Sequence, residues 1–278
     1  MADIIDLKTL RSKVESISTL PTVPSTLRKI TLMLEKPRIS LDDLGRFVSN
    51  DPALTIKVLK MVNSAAYGFP GRISSVSHAI MLLGLNVIKG LLLGVSVFEL
   101  MQKTMVGLWE HSLGCANVAR IIAQKKQMKE PEEVSISGLL HDIGKAILML
   151  QFPDEFAQAI QEAETRGISL YEAEKKYFEA THAEAGYWLA QKWNFPQNLV
   201  EAIAFHHRPN LSKQSSMETA IIHASDVLVR SRGVGFAGDP FVPAVHPATW
   251  EMLKLSDQDI RDILANLEGA IASLEDVS

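Results

Sequence analysis

The sequence predicts an all-α protein, and three observations carry that prediction. Apolar residues recur at steps of three and four almost throughout the chain, which is the spacing of one face of a helix. No alternating apolar and polar run bounded by hairpin turns stands out, so strands have no signal of their own. Helix starts are also marked: Pro24, Pro52 and Pro131 stand at or near the first turn of a helical pattern, where proline's missing N–H costs nothing, and Asp51 is placed to cap the second. Ser169 with Glu172, and Thr181 with Glu184, fit the capping box in which a hydroxyl and a carboxylate satisfy free backbone N–H groups at a helix start.

The Gly and Pro residues between Asn63 and Gly71 end one helix in a turn, and a new helix is expected to begin near Ser75. The stretch from Ala79 to Phe98 is apolar enough to raise a membrane question. Asn86 and Lys89 at its middle make it a buried central helix instead. Gly84, Gly90 and Gly94 on it sit at spacings that permit close helix contact. A compositional change falls around residues 99 to 108, with one histidine, His78, before it and the other seven after. The expected organisation is therefore a helical unit over 1–104, a second over 105–230, and a long loop with a last helix over 231–278. Ser256-Asp257-Gln258-Asp259 opens that last helix, with Ile260, Ile263, Leu264 and Leu267 on one face. Gln124-Lys125-Lys126-Gln127 and Lys129 read as a solvated helix end.

With 278 residues, 47% of them hydrophobic, the chain buries a sizeable core, which excludes a disordered tail or a disulfide-stapled miniprotein. Its net charge of −4 offers no basic surplus for a phosphate backbone, so duplex nucleic acid is not an expected partner. A single cysteine, Cys115, forms no internal disulfide, and the first residues, Met1 to Asp6, lack the charged and apolar regions of an export signal. A cytoplasmic protein with no membrane association is expected.

Histidine placement carries the chemistry. His111, His141-Asp142, His182, His206-His207 and Asp226 each fall on a different expected helix. Packed as a bundle, such helices point their side chains into one cavity. Five imidazoles and two carboxylates suit two first-row transition-metal ions with a bridging carboxylate, and Asp142 is the natural bridge. Such a pair, roughly 3.5–4 Å apart, lowers the pKa of a shared water and clamps both oxygens of an in-line phosphoryl displacement. Lys145, three residues after Asp142, shares its helix face and is placed to meet a phosphate, so Asp142 and Lys145 are the candidate catalytic residues. A solvated surface lysine is the plainer reading of Lys145.

His111, His141-Asp142-Ile143-Gly144-Lys145, His182, His206-His207 and Asp226 resemble the HD superfamily of metal-dependent phosphohydrolases. More specifically, Leu20-Pro21-Thr22-Val23-Pro24, Asp51-Pro52-Ala53-Leu54-Thr55, Val62-Asn63-Ser64-Ala65-Ala66-Tyr67-Gly68 and Ala79-Ile80-Met81-Leu82-Leu83-Gly84 resemble the HDOD domain, a bacterial signalling relative of the HD and HD-GYP domains. The resemblance covers about residues 17 to 230. It implies an HD-like helical bundle preceded by an HDOD-type helical subdomain, a regulatory role in signal transduction, and a signalling protein as partner. Carried over, the ligands divide into His111, His141, Asp142 and Asp226 for a first ion, with Asp142, His182, His206 and His207 for a second. The ions would be Fe, Mn, Zn or Ni.

The alternative implied by the resemblance is a phosphohydrolase or phosphodiesterase acting on a nucleotide, cyclic nucleotide or other phosphoester. Arg208-Pro209-Asn210 follow the His pair with no Gly-Tyr-Pro triplet, and Gly107 stands four residues before His111, where some HD-GYP relatives carry a metal-binding glutamate. A third ion and cyclic-di-GMP hydrolysis are therefore not expected. His223, one turn before Asp226, reads as a hydrogen-bonding support for a ligand, Cys115 as a small buried residue, and His78 and His246 as non-ligands. The Pro- and Gly-containing segment from Ser231 to Thr249 is expected to lie over or beside the cavity as a lid, the alternative being a flexible connection to the last helix. Deleting Gly233 to Asp239 should then alter ligand access and leave metal content intact.

Overall fold

The computed structural model describes residues 4–17, 25–36, 38–63 and 73–274. Among them the regular structure is helical, the one extended pairing being an isolated bridge between Ile5 and Phe178. Helices α1 (Leu7–Glu15), α2 (Ser25–Leu34), α3 (Leu41–Ser49) and α4 (Pro52–Val62) precede a long α5 (Val76–Thr104), and α2, α3 and α4 all pack on α5. Pro52 is the first residue of α4, and the Asp51 carboxylate accepts the Leu54 N–H at 3.0 Å, as its placement predicts. Asn63, at the end of α4, donates its side-chain amide to the Ile73 carbonyl at 2.8 Å and accepts the Ile73 N–H at 2.7 Å. The turn expected over 64–71, Pro24 and the Leu20 to Pro24 motif lie outside the described residues.

Helix α5 starts one residue after Ser75, whose hydroxyl accepts the His78 N–H at 3.2 Å. At Gly84 the backbone turns to φ 75° and ψ 175°, and among the described residues no atom from another element lies within 4 Å of where a Cβ would stand. Gly84 therefore kinks the helix, a backbone state that a side chain resists, and does not serve the close packing expected of it. Gly90 and Gly94 do serve it: a Cβ at Gly90 would stand 2.2 Å from Ile136 Cγ2, and one at Gly94 2.7 Å from Leu139 Cδ2. Gly90→Val is accordingly expected to overpack this crossing and destabilise the protein by about 1–3 kcal/mol. Thermal unfolding reads this directly, and an unchanged midpoint would mean that the helices part freely. Most of Val76–Phe98, the one described helical stretch apolar and long enough to cross a membrane, is buried. Asn86 donates to Glu133 at 2.8 Å, and burial pushes the Lys89 ammonium down from its usual pKa.

The remaining helices are α6 (Leu108–Lys125), α7 (Pro131–Leu140), α8 (Ile143–Gln151), α9 (Pro153–Arg166), α10 (Leu170–Glu174), α11 (His182–Lys192), α12 (Gln197–Phe205), α13 (Ser216–Ser231), α14 (Pro247–Leu253) and α15 (Asp257–Leu274). Helix α6 packs on α7 and α13, α8 on α11, and α12 on both α11 and α13. Their starts follow the expected chemistry: Pro131 opens α7, and the Glu184 carboxylate accepts the Thr181 N–H at 2.9 Å. The Ser169 hydroxyl accepts the Glu172 N–H at 3.3 Å, but the Glu172 carboxylate pairs with Lys175 rather than completing the box. One apolar core runs from Leu10 on α1 through Leu92 on α5 to Ile203 on α12, so the two helical groups share it. Helix α1 packs on α8 and α11, and the Ile5 N–H donates to the Tyr177 carbonyl at 2.9 Å.

A second apolar cluster seats α15, burying Ile263 and Leu267 against Ile122 and Ile221 with Ile260 and Leu264 at its margin, as the predicted face requires. Lys125 donates to Asp259 at 2.8 Å. The basic end of α6 is thus pinned to α15 rather than simply solvated.

Candidate metal centre

The seven predicted ligands converge, and they do so because each sits at or near a helix end or faces inward from a buried helix. His111 lies in the first turn of α6, His141 and Asp142 join α7 to α8, and His182 is the first residue of α11. His206 closes α12 with His207 beside it, and Asp226 faces inward from α13. The Gly144 position makes the central crossing feasible, since a Cβ there would stand 1.9 Å from the His182 carbonyl oxygen. Helix α8 therefore comes close enough to α11 to bring His182 to Asp142.

Asp142 stands between two groups of candidate ligands. Its Oδ2 lies 3.3 Å from His141 Nε2 and 3.6 Å from His111 Nε2, while its Oδ1 lies 3.4 Å from His182 Nε2 and 3.6 Å from His206 Nε2. Asp226 Oδ1 is 3.2 Å from His111 Nε2. Two compact donor sets result: His111, Cys115, His141 and Asp226 on one side, and Asp142, His182, His206 and His207 on the other. Cys115 Sγ, 3.5 Å from His111 Nε2, thus borders the centre as well as being buried. Its thiol is pushed well up in pKa by burial and by the nearby Asp226 and Asp142 carboxylates.

Hydrogen bonds at the far side of the rings fix which nitrogens face inward. His141 Nδ1 lies 2.7 Å from the Gly138 carbonyl, His206 Nδ1 2.7 Å from the Ile203 carbonyl, and His182 Nδ1 2.8 Å from the Glu174 carboxylate. Each Nδ1 therefore carries the proton and each Nε2 turns a lone pair inward. His182 Nε2 meets His207 Nε2 at 2.9 Å and His206 Nε2 at 3.4 Å. Convergent lone pairs of this kind repel unless a cation takes them. Among the described residues, buried His141 Nε2, Asp142 Oδ1 and Asp226 Oδ2 have no hydrogen-bond partner, the signature of polar atoms that need another group. The residues present therefore fit divalent ions.

The electrostatics agree. Burial, then His141 and Lys145, acts on Asp142; the two neighbours outweigh burial and hold its carboxyl well below the usual range. Asp226 is likewise held well down against burial, by Arg230 and then His111. Burial lowers His206 to about 4 and, with His206 and His182 adjoining, holds His207 well below the ordinary imidazole value. His141 is the exception among the imidazoles: burial lowers it, but the Asp142 carboxylate beside it outweighs burial and raises it, a proton that a bound ion would displace. Neutral imidazoles and ionised carboxylates are the ligand forms an ion takes.

Lys145 is 1% exposed and its ammonium lies 2.6 Å from Asp142 Oδ2, which excludes the solvated surface reading. His223 accepts the His246 N–H at Nε2, 2.9 Å away, and lies 2.7 Å from the His206 carbonyl at Nδ1. With both nitrogens engaged it supports the backbone of His206. The segment after α13 passes beside the centre, as expected: the Phe236 N–H donates to the Gly107 carbonyl at 2.9 Å, and a Cβ at Gly235 would stand 2.4 Å from the His111 nitrogen.

Sequence reasoning missed Glu174, Arg230 and Asp239. Glu174 is fully buried and accepts both the ring and the backbone N–H of His182. Removing such a support typically weakens metal binding 10–100-fold. Glu174→Ala is therefore expected to lower ion affinity by about tenfold or more at the His182 side, measurable by calorimetric titration; wild-type affinity would show that the ring needs no such anchor.

A bundle that closes five imidazoles and two carboxylates on one point is an HD-like helical protein. Residues 20–209 match the HDOD domain family, a somewhat shorter span than the resemblance suggested, and the chain belongs to that family. Among solved structures it is similar to an HDOD domain protein of unknown function from Geobacter sulfurreducens, at 27% identity and a TM-score of 0.67 over 96% of each chain. It shares its fold with a Marinobacter aquaeolei protein assigned by name to signal transduction (21% identity, TM-score 0.70, 95% of this chain and 60% of that one). The same holds for a Shewanella amazonensis protein assigned by name to the phosphohydrolases (21% identity, TM-score 0.59, 94% and 88%). The chain spans 40% or less of the length of the curated relatives it matches.

Proposed function

We propose that this chain is a regulatory protein of signal transduction built around a closed two-ion centre. The observation that carries the reading is Asp142, fully buried, with one oxygen turned to each of two histidine groups. His111, His141, Asp142 and Asp226 would hold one divalent transition-metal ion, and Asp142, His182, His206 and His207 the other. Six of the seven ligands are at most 1% exposed, and His207 alone is half-buried. Such closure suits a centre whose state is sensed, because turnover requires substrate to reach it. The core shared between the metal-binding helices and α2 to α5 gives that state a packed route to a protein partner.

Phosphoester hydrolysis is the second reading, favoured by the partial opening at His207. When bound, a divalent pair supplies an activated water and a clamp on phosphoryl oxygens. Lys145 would neutralise anionic charge beside Asp142, and His207 would border the entering group. The test is a screen of Fe, Mn, Zn and Ni forms against cyclic dinucleotides, cyclic mononucleotides, nucleoside phosphates and an aryl phosphate. The regulatory reading predicts no cyclic-di-GMP hydrolysis and no turnover near the roughly 1–10³ s⁻¹ usual for enzymes. Turnover in that range, abolished by both Asp142→Ala and His182→Ala, would replace it with the enzymatic one.

A further inference from the structure

We propose that Arg230 and Asp239 form a buried strut that positions both ligand groups at once, making the loop after α13 a working part of the ion centre. The inference rests on the two-ion reading above. Arg230 Nε donates to Asp226 Oδ1 at 2.9 Å, while its Nη1 donates to Asp239 Oδ1 at 3.1 Å and to the Phe241 carbonyl at 2.7 Å. Asp239 Oδ1 also accepts the Phe241 N–H, and its Oδ2 accepts the Leu170 N–H, both at 2.8 Å. Leu170 opens the short helix α10, and Glu174, its last residue, holds His182. A continuous path therefore runs from Asp226 through Arg230, Asp239, α10 and Glu174 to His182. It is nearly closed to water, with side-chain exposures of 1% at Asp226, 6% at Arg230 and zero at Asp239 and Glu174.

Each link has a definable task. Arg230 holds Oδ1 of Asp226, and Oδ2, buried with no hydrogen-bond partner among the described residues, is the oxygen left for an ion. Asp239 gives the buried guanidinium a second carboxylate, and a buried charge short of partners is costly. Its two oxygens serve opposite sides: arginine and loop on one, the start of α10 on the other. Only a carboxylate accepts on both. Deleting Gly233 to Asp239 removes this strut, so ion content should fall, the reverse of the outcome expected for a simple lid.

Asp239→Asn preserves volume but has one accepting oxygen and one donating amide, so one side of the strut must meet donor against donor. Titrating Mn²⁺ into the ion-free full chain is expected to show both ions bound at least about tenfold more weakly than in the wild type. Amide exchange in the ion-free variant should quicken across α10 and at His182 and stay unchanged in α2 to α4. Leu170→Pro removes the tether's N–H at the first position of a helix, where proline is favoured, together with a fully buried side chain. Read against Leu170→Ala, which keeps the N–H, it should weaken the His182-side ion further and quicken the same amides more, and equal effects of the two would overturn the tether. This pair keeps the test available if Asp239→Asn does not fold.

Wild-type affinity for both ions, or unchanged exchange across α10, would overturn the strut. A wild-type chain that takes up no ion would defeat the two-ion reading itself. The exchange measurement would then decide the strut alone, quickened α10 amides supporting it and unchanged ones removing it.

Discussion

Asp142→Ala is expected to strip the protein of nearly all bound transition metal. Its two oxygens are the groups that face both histidine sets, so the substitution removes a ligand from each at once. It also leaves the Lys145 ammonium buried without the carboxylate 2.6 Å away that compensates it. Breaking a buried pair in this way costs about 3–5 kcal/mol, so a marked fall in unfolding temperature should accompany the loss of metal. Elemental analysis beside calorimetry measures both effects. Full metal content in the variant would move the site elsewhere in the fold.

Gly144→Ala is expected to damage stability and ion binding together. The added Cβ would meet the His182 carbonyl oxygen at 1.9 Å, the His182 carbonyl carbon at 2.8 Å and the Gly186 nitrogen at 3.0 Å. All three are backbone atoms, so no side chain turns aside to make room and α8 must withdraw from α11. The cost should reach or exceed the top of the about 1–3 kcal/mol range for overpacked cores. The same withdrawal carries Asp142 away from His182 and weakens the ions on that side. Denaturant unfolding and metal titration of the variant test this, and wild-type values in both would show the crossing to be loose.

Much of the donor cluster was legible in the sequence. Imidazole and carboxylate are specialised ligand types, and the run His141 to Lys145 packs candidate ligand, proposed bridge, close-approach glycine and cation into five consecutive residues. Helix starts were equally readable, because Asp51, Pro52 and Thr181 with Glu184 act within a few residues of one another. The supports were not. Asp239 reaches Leu170 across 69 residues of chain, and an aspartate in a loop has no local mark of burial. Arg230 was within reach of sequence reasoning, since it lies four residues after Asp226 on the same helix face. The burial of Lys145 depends on α8 being enclosed, which no property of α8 alone dictates. Gly84 misled for a related reason: helical spacing cannot distinguish a glycine that admits a neighbour from one that bends the backbone.

The central claim, a two-ion centre bridged by Asp142, is tested most directly by loading the ion-free chain with Fe, Mn, Zn and Ni in turn, counting bound metal, and locating it by anomalous diffraction. The predicted result is about two ions per chain roughly 3.5–4 Å apart, one among His111, His141 and Asp226 and one among His182, His206 and His207, with Asp142 between them. Metal content near zero with all four, or ions bound away from Asp142, would contradict it.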